Sequence, residues 1–310
     1  MKGLKARVGV LLAAVAVAAG FVTPSAASAA PRVAVHLQGG TQAATDFWTP
    51  EAMRAATPLD TVLTAAGQVL ATVAAGLPAL IPAASSTSGA AWTGGGKVTH
   101  TAGRVFFLFN GAKASCSGDA VTSGNRSVVI TAGHCVKYQG SWHTNWVFVP
   151  GYDNGNAPYG EWAAKTTMTT PQWEASEDIN YDVGAAVVNP LGGRYLTDVV
   201  GGQGIAFNQA RGQTMYSFGY PAASPYDGTK LIYCAGTAFT DFLFSNDNGL
   251  SCDMTGGSSG GPWFIGFDES TGTGVQNSVN SFGYNFMPGY MFGPYFGSDA
   301  QNLYNAAQAG

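Results

Sequence analysis

Two segments far apart in the chain carry residue types that could together perform acyl transfer: "VVITAGHCV", which contains His134, and "CDMTGGSSGGPW", which contains Ser259. A serine hydroxyl is a poor nucleophile at neutral pH, so it needs a base within hydrogen-bond reach and donors for the oxyanion that forms. His134 offers the base. Gly256, Gly257 and Gly260 leave room for backbone N–H groups to approach a carbonyl oxygen, and the amides of Gly257 and Ser259 are the expected donors. Gly/Ser runs also make flexible linkers. Here Cys252 precedes the run and Pro262, Trp263, Phe264 and Ile265 follow it, which suits a loop pinned into a core.

Residues 257–261 also satisfy G-x-S-x-G, the nucleophile elbow of α/β-hydrolases, in which the acid and the histidine follow the serine. The four histidines, His36, His100, His134 and His143, all precede Ser259, so that architecture is excluded. A base before the nucleophile calls for an acidic residue between the two. Asp182, in "INYDVGAAVV", opens an apolar run that reads as a buried strand, where a carboxylate needs a partner. Its expected role is to bond the Nδ1–H of His134 and hold the tautomer. Asp178, in the polar stretch "EASEDIN", is the alternative and reads as a solvated loop residue.

The elements that must position these groups read as short strands. "RVFFLF", "SVVITAG", "NWVFVPG", "DVGAAVVN", "TMYSFGYP", "KLIYCAG", "PWFIGF" and "VNSFGY" are β-rich runs separated by Gly, Asn, Asp and Pro. The pattern predicts an all-β barrel or sandwich, closed by a C-terminal helix that starts at Ser298 or Asp299.

"TAGHC" around His134, "YDVGAAVV" around Asp182 and "GGSSGGP" around Ser259 resemble the three signatures of chymotrypsin-fold serine peptidases, in that family's order. "FVPGYDNGNAPYG", residues 148–160, resembles the segment after the histidine in the bacterial glutamyl-endopeptidase-like branch. The resemblance spans about Gly103 to the C-terminus. It implies two packed six-stranded antiparallel β-barrels with the site in the cleft between them, and hydrolysis of polypeptide substrates through an acyl-enzyme with no cofactor. It further implies that Ser281 bonds Asp182, and that Ser281, Phe282 and Gly283 line the primary pocket and pair with substrate backbone. Asn280 falls where glutamyl endopeptidases place a histidine, which argues against a strict glutamate preference. Asp253 lies six residues before Ser259, the spacing of the pocket aspartate in enzymes that bind Lys or Arg; the alternative is that it bonds local backbone. Ser258 stands where the animal digestive enzymes carry an activating aspartate, so activation is expected through removal of a covering segment. A secreted esterase using the same site and a non-catalytic binding module on the same fold are the competing classes.

Composition sets the context. In 310 residues, 43 glycines with only 10% charged side chains suit tight turns more than long helices, and the net charge of −4 argues against nucleic acid or an anionic membrane as partner. Lys2, Lys5 and Arg7 precede an apolar stretch from Val8 to about Val22, and Ala27-Ser28-Ala29 supplies a cleavage site, so residues 1–29 read as a secretory signal peptide and the mature chain as extracellular, with no membrane span and expected to be monomeric. Residues 30–98 read as a propeptide, with a helix start at Thr49-Pro50-Glu51 and the linker "PAASSTSGAAWTGGGK", cut between about Ser85 and Gly103. A retained N-terminal helical appendage is the alternative. The enzyme domain is then 99–310. Four cysteines in an exported chain allow three disulfide connectivities. Pairing Cys116 with Cys135 would fix the base, leaving Cys234 with Cys252 beside the serine loop. No C-x-x-C or H-E-x-x-H spacing occurs, and no metal site is expected.

Overall fold

The β-branched and aromatic runs pair into a closed ring that carries the histidine on its rim. The computed structural model describes Met1 and residues 32–60 and 88–310. The signal peptide expected over 1–29, the alanine-rich stretch after Asp60 and the start of the linker lie outside the described residues, apart from Met1. The chain divides into Met1–Pro31 and Arg32–Gly310, and the second unit holds every element described.

Four short elements come first: β1 (Ala34–Leu37), α1 (Thr41–Phe47), α2 (Pro50–Arg54) and β2 (Thr57–Pro58). The expected start of α2 is observed. The Thr49 hydroxyl accepts from the backbone N–H of Ala52, and Pro50 fills the first helical position, where its missing N–H costs nothing.

Six strands then form the ring: β3 (Ala102–Phe109), β4 (Ala112–Ala120), β5 (Val128–Thr131), β6 (Thr144–Pro150), β7 (Trp162–Thr169) and β8 (Gly184–Val188). Each pairs antiparallel with its neighbours in the order β3-β4-β5-β8-β7-β6, and β6 returns to β3. Closure removes the exposed edges that an open sheet would leave. The interior is filled by Val105, Phe107, Val129, Trp146, Phe148 and Trp162, all essentially inaccessible to solvent. Strand β4 was not legible as one. Its sequence, "AKASCSGDA", is poor in β-formers, and it pairs along its whole length with β3 because burial of the ring outweighs local propensity.

The second half contains β9 (Thr214–Gly219), β10 (Ile232–Thr237), β11 (Asn248–Ser251), β12 (Pro262–Asp268), β13 (Thr273–Val279), β14 (Phe282–Tyr284) and β15 (Met287–Gly293). These divide between a six-stranded sheet, with β13-β12-β9-β10 at its centre, and a four-stranded sheet that ends β11-β15-β14. Met215, Ile232, Leu250, Trp263 and Met291 from both sheets share one core cluster. Two short pairings depart from the antiparallel pattern: Gly204–Ile205 runs parallel to β13, and β2 parallel to β4. The C-terminal helix α3 (Ser298–Ala309) begins where expected and buries Ala300, Leu303 and Ala307. Among the described residues no helix is long and apolar enough to cross a membrane.

Candidate active site

His134 sits on a single 3-10 turn, Gly133–Cys135, directly after β5, and Asp182 ends the 3-10 turn that leads into β8. Because β5 and β8 are paired, with Thr131 opposite Gly184, two residues distant in sequence meet at the rim. The Nδ1–H of His134 donates to Asp182 Oδ2 at 2.7 Å, and the backbone N–H of His134 donates to Oδ1 at 2.7 Å. Ser281 Oγ donates to Oδ2 at 2.6 Å. Asp182 is fully buried, so these three donors replace its hydration. Asp178 is used elsewhere: its carboxylate accepts from the backbone N–H and side-chain amide of Asn180. Burial works against a charged His134, but the adjacent Asp182 charge and hydrogen bond outweigh it and hold the imidazole pKa above its ordinary value. Behind it, His143 donates from Nε2 to the His134 carbonyl at 2.8 Å and stacks on Phe107 with 4.3 Å between ring centres. Burial pushes the His143 pKa down to about 3, so it stays neutral.

The Ser259 loop is tied both to β4 of the ring and to the segment that follows β13. Ser117 N–H donates to the Ser259 carbonyl at 2.7 Å, Ser117 Oγ donates to the Gly257 carbonyl at 2.9 Å, and Gly260 N–H donates to the Asn280 carbonyl at 2.7 Å. Gly257 has φ +94°, and a Cβ there would lie 2.9 Å from the Tyr220 carbonyl oxygen; Gly260 has φ +79°, and a Cβ would lie 2.5 Å from the Ser117 carbonyl oxygen. The glycines are therefore demanded by backbone conformation and close approach together. Ser258 Oγ is satisfied locally by the Thr255 carbonyl at 2.8 Å. The Ser259 hydroxyl donates to the carboxylate of Asp60, at 3.3 Å.

Beside this loop lies a cavity of about 420 Å³ lined by Asp60, Asp253, Ser281, Phe282, Gly283 and Tyr284, among others. The expected pocket residues are thus brought together, with one exception. Asn280 is fully buried beneath the cavity. Its side chain accepts from Ser217 Oγ and Trp263 Nε1 and donates to the carbonyls of Phe218 and Ser258, which leaves it no group to offer a ligand. Asp253 does line the cavity, but its Oδ1 already accepts from the Gly89 N–H at 2.7 Å and the Tyr226 hydroxyl at 2.6 Å. Among the described residues, strand β14, carrying Phe282 and Gly283, is the last strand of its sheet and pairs only with β15.

Both disulfides form with the expected connectivity, Cys116–Cys135 and Cys234–Cys252. The first anchors the residue after His134 to β4; the second joins β10 to the end of β11, and so the two sheets of the second half. Three residues at the site escaped sequence reasoning. Ser117 had only its place beside Cys116 as a signal, and His143 only its residue type. Asp60 lies in a segment assigned to the propeptide.

No family model matches the sequence. Among curated proteins, a 75-residue stretch is 36% identical to the extracellular metalloprotease of Bacillus subtilis (strain 168), covering 24% of this chain and 23% of that one. Among the described residues, the one close group of three potential metal ligands is Cys116, His134 and Cys135, and its two sulfurs are bonded to each other, which removes both as thiolate ligands. Solved structures match far more broadly. The protease Anisep from Arthrobacter nicotinovorans is 49% identical, with a TM-score of 0.65 over 69% of this chain and 97% of that one. The thermostable serine protease AL20 from an extremophilic microorganism is 45% identical, with a TM-score of 0.65 over 69% of this chain and 99% of that one. A Glu endopeptidase shares the fold at 18% identity, with a TM-score of 0.53. Two relatives above 40% identity, each matched over almost its entire length, establish that the chain belongs to the bacterial serine proteases of the chymotrypsin fold.

Proposed function

We propose that this chain is an exported serine endopeptidase in which Ser259 is the nucleophile, His134 the general base and Asp182 the group that orients and charges the base. The observation that carries the reading is the buried Asp182 carboxylate, which holds His134 by two hydrogen bonds, together with the Ser259 loop tied to β4 through Ser117. Asp182 fixes the proton on Nδ1, leaving Nε2 free to take the proton of Ser259 as its oxygen attacks the scissile carbonyl. The tetrahedral oxyanion is met by the N–H groups of Gly257 and Ser259. His134 then protonates the leaving amine, and water repeats the sequence on the acyl-enzyme. Ser281 fills the remaining demand of the Asp182 carboxylate and is a positioning residue.

Substrate backbone adds to the free edge of β14 at Phe282 and Gly283, as extended peptides add to sheet edges. Asp253 forms part of the pocket wall; with two donors already on it, it is a weaker anchor for Lys or Arg than its spacing alone suggests. Two disulfides, and the leader expected over residues 1–29, fit an extracellular enzyme. The test is mapping of a fluorophosphonate adduct on the processed protein by mass spectrometry. The adduct belongs on Ser259 and disappears in Ser259→Ala and His134→Ala; an adduct on another serine refutes the assignment.

A further inference from the structure

The N-terminal segment is not a loose appendage. Strand β1 lies antiparallel on the ring strand β7, with Ala34 opposite Thr169 and Leu37 opposite Thr166. Trp48 is fully buried and donates from Nε1 to the Asn145 carbonyl at 2.7 Å, and Met53 is fully buried in the same cluster as Phe106 and Val147. Thr57 and Pro58 pair with Ala114 and Ser115 of β4, and Leu59 is buried against the core of the first barrel. The next residue is Asp60, whose carboxylate accepts the Ser259 hydroxyl and whose Cβ packs on the oxyanion loop, 3.0 Å from where a Cβ on Gly256 would stand.

We infer that residues 33–60 form a built-in inhibitor of the cleft and that Asp60 is its inhibitory residue. The inference rests on Ser259 being the nucleophile. Asp60 blocks in two ways. Its carboxylate stands where the scissile carbonyl must enter, and a carboxylate offers no leaving group for the serine to expel. It also accepts the hydrogen bond of the hydroxyl whose proton the attack must deliver to His134 Nε2, while its negative charge favours the imidazolium, which cannot act as a base. Burial raises the Asp60 pKa, and the His134 charge and the Ser259 hydrogen bond oppose that rise, as expected for a carboxylate held against a positive partner. The anchors at β1, Trp48, Met53 and β2 are independent of the chain that follows Asp60. A cut between Ser85 and Gly103 therefore leaves the inhibitor in place until it dissociates or is degraded, so activity lags behind the cut.

The test compares the full chain with the processed form after its N-terminal fragment has been removed, each treated with a fluorescent fluorophosphonate and resolved on a gel. A masked nucleophile reacts in proportion to the fraction of time the contact is open, so the full-length band is expected to label at least about tenfold more slowly than the processed band. Asp60→Ala is expected to bring the full-length rate close to the processed rate. Asp60→Asn, which keeps the shape and removes the charge, is read in the same way and is expected to raise the full-length rate several-fold. Equal labelling of the two wild-type bands overturns the inference, as does a full-length rate unchanged in both Asp60 variants. Absence of a Ser259 adduct in the processed band would instead refute the nucleophile assignment, so the two failures are distinguishable.

Discussion

His143 gives this fold a built-in sensitivity to acid that can be isolated with one substitution. The imidazole is fully buried, donates to the His134 carbonyl from Nε2, stacks on Phe107 and leaves Nδ1 without a hydrogen-bond partner among the described residues. In the unfolded chain it takes a proton near pH 6.5, whereas in the folded protein it does not until about pH 3. The unfolded state therefore binds the extra proton first, and folding stability falls as the pH drops below 6.5. The linkage slope for one proton is about 1.4 kcal/mol per pH unit, or roughly 2 kcal/mol between pH 6.5 and pH 5. His143→Phe keeps the aromatic stack and removes the titration. At pH 7 the variant is expected to be less stable by about 1–3 kcal/mol, because the His134 carbonyl loses its donor. Below pH 6.5 it should lose stability less steeply than the parent. Urea unfolding from pH 7 to pH 4, in a Ser259→Ala background that prevents self-digestion, measures both quantities. Identical pH slopes in parent and variant would refute the reasoning.

Asp182→Asn should lower kcat by about 10⁴-fold, since the amide favours the wrong tautomer of His134, and should move the acid limb of the kcat/KM profile to lower pH; steady-state kinetics on one peptide substrate from pH 5 to 9 checks both. Ser281→Ala removes one charge-assisted donor of about 1.5–3 kcal/mol from Asp182, so kcat/KM should fall roughly 10- to 100-fold, with the loss appearing mostly in kcat. Replacing Cys116 and Cys135 together by Ala opens a loop of about 20 residues and should cost on the order of 3 kcal/mol in denaturant unfolding.

Two of the three residues proposed for catalysis stand out in the sequence because their contexts make little sense otherwise: Asp182, a carboxylate opening an apolar run, and Ser259, a serine among glycines bounded by Cys252 and Pro262. Most ring strands were legible from their β-branched and aromatic runs. Strand β7, "WAAKTTMT", was not singled out, and neither was β4, because Ala, Ser, Gly and Asp carry no β signal and only pairing on both sides makes them a strand. Asn280 misled for the opposite reason. Its position aligned with a pocket residue, while its side chain satisfies the buried carbonyls of Phe218 and Ser258 behind the serine loop. Asp253 lines the cavity beside the serine loop, but its partners Gly89 and Tyr226 lie 164 and 27 residues away, a juxtaposition that spacing near Ser259 does not encode. Asp60 was invisible because a lone aspartate before an alanine-rich stretch has no signature; only the docking of β2 and Leu59 carries it to Ser259.

The most direct measurement of the central claim is digestion of a diverse peptide library by the processed protein, with Ser259→Ala as control and mass spectrometry of the products. Endopeptidase cuts that vanish in Ser259→Ala are predicted. Cuts of equal yield in the Ser259→Ala protein would contradict the assignment of Ser259 as nucleophile.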